Sequence, residues 1–435
     1  GIVWWMNGTP SSLLTAWHLV LFVGTPLLAG RLGGHAINRL RRIARTTAER
    51  RRESADWLDQ PGDFARREIL RRALGIGILV GFGGAAGGWL LRRSRIGIAS
   101  TEAGRDLDVL RRMLLDDADA SERQIELAPI EPLPPFIDDF PVPDAVRPRL
   151  TPTDRFYTVD ISTRDPNIPH DDWSLTVNGL VDRPLEISYP ELLAYSSIEL
   201  DGTLMCISYE YGTGLISTTR WTGVRLRDVL QRAGIRDGAV DLALYGAGGY
   251  SDSIPVNAAL DPRTILAYGM DGEALTREHG FPCRLYVPNL YGEKNVKWLQ
   301  RIEVVDFNYR GFWQERGWTD KAIINTVSVI DTPAGRTSPD AEGVVPIAGI
   351  AFAGSRGISE VEIRIDDQEW LQVDVEEYAP ELVWQRWRYG WRPAPGEYEI
   401  TVRATDGDGN RQIEEVAPPH PDGMTGLQTI RVTVE

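Results

Sequence analysis

Two long uncharged apolar runs near the start of the chain restrict its organisation more than any other feature. Residues 11–30 (SSLLTAWHLVLFVGTPLLAG) and residues 73–91 (ALGIGILVGFGGAAGGWLL) contain no charged side chain. A helix of about 20 apolar residues is long enough to cross the hydrocarbon core of a bilayer. We therefore predict two N-terminal transmembrane helices within a membrane region of residues 1–95. The glycine-rich second run would also suit a buried core helix.

Arginines around these runs predict the orientation of the chain. Residues 31–72, between the runs, contain 12 arginines, and loops with such an excess stay in the cytoplasm. The chain after Leu91 is then expected on the extracytoplasmic side. The stretch ARREILRRALGIG (residues 65–77) is similar to a twin-arginine export signal, which would give the same topology. An arginine-rich helix end would explain this stretch about as well.

Charge and cysteine content exclude several classes of function. Residues 1–95 carry 15 arginines and 6 acidic residues, whereas the rest of the chain carries 32 basic and 56 acidic residues. An acidic body of this kind has no electrostatic footprint for nucleic acid. The only two cysteines, Cys206 and Cys283, cannot build a disulfide framework. Five histidines in all argue against a zinc or multi-histidine metal centre.

Three regions follow the apolar runs. Residues 96–150 read as a polar and proline-rich linker, whose prolines predict an extended segment that wraps or links. Residues 151–322 mix strands with short helices, which indicates an α+β domain that begins with a strand at DRFYTVDIS (residues 154–162). In this domain YPELLAY and RLRDVLQRAGI have helical apolar spacing, and a glycine ends the second. Residues 323–435 contain short strands separated by turn signals, which predict an immunoglobulin-like sandwich.

The Gly-flanked stretch DGTLMCISYEYGTG holds Cys206 and allows three interpretations. A free cysteine is commonly a small buried hydrophobe. A cysteine nucleophile would need a nearby base, which no sequence motif supplies. A cysteine thiolate would suit a soft-ligated transition metal whose other ligands come from a cofactor. Spacing alone leaves all three open.

Four sequence blocks add a more specific signal because they occur in a fixed order. They are LMCISYEYGTGLISTTRWTGVRLRDVLQRAGI, YSDSIPVNAALDPRTILAYGMDGEAL, HGFPCRLYVPNLYGEKNVKWLQRIEV and AGIAFAGSRGISEVEIRIDD. Together they resemble the sulfite oxidase family of molybdopterin-dependent oxidoreductases, most of all its bacterial, membrane-tethered members. The resemblance covers about residues 150–435. It implies a sulfite-oxidase-type molybdopterin domain followed by an immunoglobulin-like domain of the dimerisation type.

The resemblance also implies a chemistry and the residues that carry it. In the family, molybdenum is held by the dithiolate of one pyranopterin (molybdopterin) and by one protein thiolate, a position that Cys206 matches. The metal moves an oxygen atom to or from a small substrate in a two-electron reaction. Tyr250 and Arg356 match positions that contact the substrate. Positions that bind the cofactor are matched by Tyr157, His279, Arg284, Asn295, Val296 and Lys297, with Lys294 as a further phosphate partner.

The substrate pocket departs from the family pattern at two cationic positions. An R-N-H motif of the family reads Val159-Asp160-Ile161 here, and arginines expected after the cysteine are replaced by Glu210 and Tyr211. A pocket without these arginines should bind a dianion such as sulfite poorly. A neutral sulfoxide, or another small oxygen donor or acceptor, fits at least as well. The chain would then be a sulfite dehydrogenase, a sulfoxide reductase, or a membrane-anchored binding scaffold that has lost its metal.

Electrons must also enter or leave such a centre. The sequence has no CxxCH motif and no nucleotide-binding glycine fingerprint. His18 and His35 could ligate haem together with another subunit, although structural or interfacial roles fit them too. We therefore expect a separate quinone- or cytochrome-linked partner, a membrane-anchored protein with its catalytic domain on the extracytoplasmic side, and a second domain that would allow a homodimer.

Overall fold

The computed structural model describes Leu107 and residues 129–134, 139–377 and 379–435, all of them within the compact unit Arg92–Glu435. The two predicted transmembrane runs, the twin-arginine-like stretch, His18 and His35 lie outside the described residues. Within the part of the chain that the structure describes, no helix combines the length and apolar character needed to cross a bilayer.

Two sheets and three short helices form the first domain. The helices are α1 (Tyr189–Leu193), α2 (Leu226–Ala233) and α3 (Val256–Ala259). The strands are β1 (Ile130–Glu131), β2 (Ser174–Gly179), β3 (Leu185–Ser188), β4 (Ser197–Met205), β5 (Ile216–Arg225), β6 (Asp241–Gly246), β7 (Ser251–Pro255), β8 (Ile265–Met270), β9 (Glu273–Ala274), β10 (Arg284–Tyr286) and β11 (Leu299–Val305). One sheet has the order β1-β4-β5-β8-β10 with β9 beside β8, and the other has the order β3-β2-β11-β6-β7. Strands therefore dominate this domain more than an α+β prediction suggests.

Local sequence explains where α1 begins and where α2 ends. Ser188 caps α1 reciprocally, since its Oγ accepts the Glu191 N–H at 3.4 Å and its own N–H donates to Glu191 Oε2 at 2.9 Å. Helix α2 ends at Gly234, which adopts a left-handed conformation with φ of 73°. The buried face of α2 packs into a core shared by both sheets and consists of Leu226, Val229, Leu230 and Ala233.

The strand predicted at residues 154–162 is not formed. Thr153–Arg155 is a short 3-10 helix after Pro152, and the following residues have no ladder partner. The aromatic side chain of Phe156 instead packs into the interior, where its ring lies edge-on to the ring of His279 with 5.4 Å between the centroids. The Tyr157 N–H donates to Ser217 Oγ at 3.2 Å rather than to a neighbouring strand. Side-chain packing has therefore overridden the strand propensity of this segment.

The second domain is a sandwich of two sheets. Its strands are β12 (Val327–Thr332), β13 (Gly335–Thr337), β14 (Val345–Phe352), β15 (Ile358–Ile365), β16 (Leu371–Gln372), β17 (Asp374–Val375), β18 (Gln385–Trp391), β19 (Gly396–Asp406) and β20 (Gln428–Val434). The orders are β12-β14-β18-β17 and β13-β20-β19-β15-β16. Side chains from both sheets form one apolar core. The strands appear where the sequence predicts them, whereas the immunoglobulin-like assignment of the sandwich stays a prediction.

The two domains join at the end of β4. The Thr203 N–H donates to the carbonyl of Leu382 at 2.9 Å, and the Trp384 N–H donates to Thr203 Oγ1 at 3.3 Å. A mixed apolar cluster follows, in which Met205 and Ile207 pack with sandwich residues. Cys206 lies between these two residues of the chain and therefore at the domain boundary.

The proline-rich segment runs along this folded body. Strand β1 extends the first sheet by pairing in parallel with β4. Further on, the buried guanidinium of Arg149 pairs with Glu376 of the sandwich, and Arg147 lies 3.3 Å from Asp331. The described part of the segment thus wraps around both domains, one of the two behaviours that its prolines predict.

Candidate active site at the domain boundary

Cys206 is held in a tight turn directly after β4. Its N–H donates to the carbonyl of Leu215 at 3.0 Å, and its carbonyl accepts the Tyr209 N–H at 3.0 Å. The side chain is 8% exposed, and its Sγ lies 3.0 Å from Ser208 Oγ. Burial raises the pKa of the Cys206 thiol, while the hydrogen bond from Ser208 opposes the rise. A positive charge such as a metal ion would be needed to hold this sulfur as a thiolate.

A short 3-10 helix, Gly292–Lys294, closes one side of the Cys206 turn. A Cβ atom placed on Gly292 would lie 2.7 Å from Tyr157 Oη and 3.9 Å from the Cα of Cys206. Only glycine lets these segments approach so closely. Tyr157, predicted to line the cofactor site, is therefore brought next to Cys206, and burial raises the pKa of its phenol well above the ordinary value.

Three residues predicted to bind the cofactor, Arg284, His279 and Lys297, lie close together. Arg284 is buried, and its Nη1 and Nη2 donate to the carbonyls of His279 and Asn295 at 3.1 and 3.2 Å. Burial lowers the pKa of Arg284 to about 10, and burial followed by the Arg284 charge lowers the pKa of His279 to about 4. Lys297 donates to the carbonyl of Glu278 at 2.7 Å. His279 is therefore neutral at neutral pH, and Arg284 and Lys297 carry the positive charge.

One buried donor of this cationic group has no partner. The Nε–H of Arg284 is enclosed and makes no hydrogen bond to any residue that the structure describes. An unsatisfied buried donor of a charged group costs more than 1 kcal/mol as an order of magnitude, so such a position calls for an anion. A thiol suited to a soft metal and a buried guanidinium suited to a phosphate thus both lie near enough to act on Tyr157. The donor set fits a phosphate-bearing metal cofactor.

Asn295 and Val296 shape the turn between these groups. The Asn295 side chain accepts the Val287 N–H at 2.7 Å and donates to the Tyr291 carbonyl at 3.1 Å. The Val296 carbonyl accepts the Leu285 N–H at 2.9 Å. Their side chains and backbone groups brace the turn that presents Lys297, and their contact with a cofactor stays a prediction.

Lys294 does not lie free for a phosphate. It is 1% exposed, and its Nζ donates to Asp252 Oδ1 at 2.7 Å. Asp252 is completely buried and also receives the Tyr250 hydroxyl at 3.0 Å. The prediction of Lys294 as a phosphate partner is therefore replaced by a buried ion pair, because a lysine this deeply enclosed needs a fixed counter-charge.

Tyr250 points at the short helix that faces Cys206. Its hydroxyl lies 2.8 Å from the carbonyl of Glu293 as well as 3.0 Å from Asp252. Burial, then the charges of Asp252 and Glu293, raise the pKa of Tyr250 well above its usual value. Burial and then repulsion from Asp252 raise the pKa of Glu293 to about 8. Tyr250 and Glu293 are thus protonated donors at neutral pH.

Arg356 lies in the second domain, with every guanidinium nitrogen engaged. Its Nε donates to Asp406 at 2.8 Å, Nη1 donates to Asn289 Oδ1 at 3.0 Å, and Nη2 donates to the carbonyl of Ile324 at 2.9 Å. The bond to Asn289 ties the sandwich to the first domain. The contact between Arg356 and substrate, inferred from the family pattern, stays a prediction.

Neither of the two substituted residues after the cysteine, Glu210 and Tyr211, offers a cation to an anionic substrate. Glu210 is exposed, and its N–H donates to Thr213 Oγ1 at 3.3 Å. The Tyr211 hydroxyl donates to the carbonyl of Gly426 at 2.9 Å and accepts from Gln412 at 3.0 Å. Asp160 lies 2.5 Å from Lys297. Glu210 and Tyr211 therefore place an acid and a neutral group where the family pattern has arginines, and Asp160 adds a further acid.

Sequence reasoning missed Asp252, Glu293 and Asp320 as members of this site. Asp252 lies inside the block that contains Tyr250, and Glu293 lies beside the phosphate-partner candidate Lys294. A charged residue in the otherwise buried YSDSIP strand was an available signal, because a buried acid requires a partner. Nothing in the sequence relates Asp320 to either block.

Comparison with known proteins gives the class of this site. Residues 162–313 match the family model "Oxidoreductase molybdopterin binding domain". The chain is 32% identical over 319 residues to mitochondrial sulfite oxidase of Homo sapiens, which covers 62% of this chain and 58% of the relative. It is 30% identical over 316 residues to the nitrate reductase [NAD(P)H] of Hordeum vulgare, covering 57% of this chain and 36% of the relative.

A solved structure supports the same fold. The sulfane dehydrogenase SoxCD from Paracoccus pantotrophus aligns with a TM-score of 0.57 and 21% identity, covering 69% of this chain and 90% of that one. The described fold therefore contains a molybdopterin-binding oxidoreductase domain. The chain is thus similar to the sulfite oxidases, and its molybdopterin-binding domain together with these relatives implies molybdenum with molybdopterin as the cofactor. It spans less than two thirds of the length of the sulfite oxidases it matches.

Proposed function

We propose that this protein catalyses two-electron oxygen-atom transfer on a small substrate, with Cys206 as the protein ligand of molybdenum. The observation that carries the proposal is the buried Arg284 Nε–H without a partner among the described residues, close enough to Tyr157 that Arg284 and the buried Cys206 thiol both act on that phenol. Arg284 and Lys297 would hold the pterin phosphate, and Tyr157 would line the space between phosphate and metal. The bound cofactor would supply the change of oxidation state that oxygen-atom transfer requires.

We propose further that the substrate is neutral. The guanidinium of Arg356 already donates hydrogen bonds to Asp406, Asn289 and the carbonyl of Ile324. The ammonium of Lys294 is already paired with Asp252. The acidic side chain that acts on the Cys206 thiol is Glu293, and no cation of the described residues acts on that thiol comparably. An oxyanion with two charges would meet no unpaired cation among these groups, whereas the hydroxyl of Tyr250 suits a neutral oxygen acceptor such as a sulfoxide.

The direction of the reaction defines two alternatives within this proposal. A sulfoxide reductase would consume electrons, and a sulfite dehydrogenase would deliver them. We favour a neutral sulfoxide over sulfite for the reason of charge just given. Turnover with a neutral sulfoxide and a reduced artificial donor, set against turnover with sulfite and an oxidised acceptor, separates the two.

A cofactor-free binding scaffold is the alternative from a different class. It would have no use for an enclosed guanidinium with a spare donor, since burial without a counter-charge costs free energy. Hydrophobic replacement of Arg284 would stabilise such a scaffold, whereas an enzyme keeps the cation for its cofactor. The retained cation therefore supports the enzyme.

We also propose a separate one-electron redox partner, of quinone- or cytochrome-linked type. A row of aromatic rings leads from Tyr250 through Phe312, Trp313 and Trp318 to the exposed His420, with successive ring centroids 5.0–6.1 Å apart. Such a packed row supports an exchange of electrons near His420. Anchoring by the two apolar runs and an extracytoplasmic catalytic domain complete the proposal.

Metal and pterin content of the purified protein tests the proposal directly. We expect about one molybdenum and one pterin per chain from a host that makes the cofactor. Cys206→Ser should alter or empty the metal site. Cys283→Ala is the matched control, because Cys283 is equally buried but lies in the apolar core. Absence of both molybdenum and pterin from the wild-type protein would overturn the enzyme assignment.

A further inference from the structure

A line of polar side chains connects the candidate active site with solvent. Tyr250 Oη lies 3.0 Å from Asp252 Oδ2, and Lys294 Nζ lies 2.7 Å from Asp252 Oδ1. On its other side Lys294 Nζ lies 3.5 Å from Asp320 Oδ1. The four groups therefore form an unbroken series of contacts within hydrogen-bonding range.

The outer end of this line reaches water. Asp320 is 28% exposed at its side chain and accepts from Asn308 Nδ2 at 2.6 Å. Asp320 and Asn308 line a surface pocket of about 450 Å³, together with Ser253 and Asp241. Asp252 and Lys294, in contrast, are 0% and 1% exposed. A proton that reached Asp320 could leave to bulk solvent, whereas the two inner groups can exchange protons only with their neighbours.

The inner end lies at the reacting side of the site. Tyr250 contacts the carbonyl of Glu293, whose preceding residue Gly292 faces the Cys206 turn. Lys294 Nζ lies between the carboxylates of Asp252 and Asp320, at 2.7 and 3.5 Å. These two carboxylates supply the counter-charge that a buried ammonium needs.

Oxygen-atom transfer creates the need for such a route. For a substrate X, the balanced reaction X + H2O → XO + 2 H⁺ + 2 e⁻ releases two protons in a buried site, and its reverse consumes two. The electrons pass to or from the one-electron partner already proposed. We propose that Tyr250, Asp252, Lys294 and Asp320 form the proton path between the active site and solvent; this inference rests on the proposed function.

Each proton leaving the site follows the same sequence of transfers. Tyr250 Oη gives its proton to Asp252 Oδ2 and takes a new one from the reacting water. Lys294 Nζ gives a proton to Asp320 Oδ1, which loses it to solvent. Asp252 turns its carboxyl group and passes its proton to the neutral amine of Lys294. Every group then has its starting charge, and one proton has moved outward. The reverse sequence delivers a proton for reduction.

A structural role for the same ion pair makes a different prediction about its surroundings. In the sandwich, Glu376 is enclosed with Arg149 and Arg386, and all three side chains are about 5% exposed. None of these three side chains reaches solvent as Asp320 does. The Asp252–Lys294 pair instead continues into a phenol at the site and a half-buried carboxylate at the surface, as a proton path requires.

Turnover of the holoenzyme in H2O and D2O is the first arm of the test. We expect Asp320→Asn to slow turnover about 10-fold and Asp252→Asn about 100-fold, within the usual contribution of a positioned proton-transfer group. The solvent isotope effect should increase in Asp320→Asn, and a small diffusible acid such as acetate should restore its rate. Asp306→Asn, which changes an exposed acid of the same domain, is the matched control.

Infrared difference spectra of the metal-free protein at stepped pH are the second arm, because they need no turnover. A protonated-carboxyl band that disappears in Asp252→Asn and shifts in Lys294→Gln is expected. Slow variants with an unchanged isotope effect and no acetate rescue would show mere positioning and overturn the proton path, as would wild-type rates in all variants. Failure of the proposed function would be recognised separately, by wild-type protein without molybdenum.

Discussion

The two domains treat buried charge in opposite ways. In the sandwich, the carboxylate of Glu376 receives the guanidinium of Arg386 at 2.7 Å and also contacts Arg149. In the first domain, Arg284 is as deeply buried but donates to two backbone carbonyls, and its Nε–H has no partner among the described residues. A buried cation without a carboxylate is costly unless an anion binds beside it. The difference separates an ion cluster that fastens two segments from a cation that we propose binds a ligand.

Breaking the sandwich cluster should have the largest effect on stability. Glu376→Gln leaves two guanidinium groups enclosed without their carboxylate, and loss of one partner of a buried pair costs about 3–5 kcal/mol. We expect chemical denaturation to show that loss, with pterin content per folded chain unchanged. A fall in pterin content would mean that the sandwich cluster also serves the cofactor site, which would remove the contrast.

Removing the Arg284 guanidinium should instead reduce cofactor retention more than stability. Arg284→Gln takes away charged donors to the phosphate, which is expected to weaken cofactor retention by about 10–100-fold, or about 1.5–3 kcal/mol. The metal-free protein should lose less stability than Glu376→Gln does, because two hydrogen bonds to carbonyls are lost but the buried charge and its unpartnered donor disappear as well. Pterin fluorescence after dialysis, beside denaturation of the metal-free protein, measures both. Unchanged retention would place the phosphate elsewhere.

The close approach of the short helix Gly292–Lys294 to the Cys206 turn can be tested by substitution, with an intermediate loss of stability expected. Gly292→Ala introduces a Cβ 2.7 Å from Tyr157 Oη, and relieving such an overlap costs about 1–3 kcal/mol. We expect reduced stability together with reduced molybdenum content, because the overlap moves Tyr157 and Cys206 apart. Gly343→Ala is the control, since that glycine has no neighbour within 4 Å of its Cβ position. Its left-handed backbone costs about 1 kcal/mol by itself, with no effect on the metal expected.

Protonation of Glu293 should appear as a gradual change of stability with pH rather than as a single step. Its pKa is raised to about 8 in the folded protein against about 4.3 when unperturbed. Its contribution to stability is therefore fully present below about pH 4.3 and is lost as pH rises through 8. We expect the free energy of unfolding of the metal-free protein to fall over this interval, and Glu293→Gln to flatten that fall. Identical slopes would contradict a buried neutral acid here.

The sequence determined most of the local structure and the class of the protein. Apolar spacing and the glycine at position 234 predicted α2, and alternation predicted the sandwich strands, because short-range packing and turn geometry decide such elements. The ordered blocks around Cys206, His279, Arg284 and Lys297 led to the molybdopterin family. The segment at residues 154–162 failed because its rings pack on His279 and Trp221 rather than in a ladder.

Only the tertiary structure decided how the charges are paired. Lys294 and Asp252 are 42 residues apart in sequence, and Arg356 and Asp406 are 50 apart. No local pattern shows which buried cation meets which acid, because the partner is chosen by the chain path and by the cost of leaving a charge unpaired. For the same reason the sequence could not show which of Arg284, Lys294, Lys297 and Arg356 are paired with acids. In the folded protein, Lys294 pairs with Asp252 and Arg356 pairs with Asp406. Lys297 pairs with Asp160, and the Nε–H of Arg284 has no partner among the described residues.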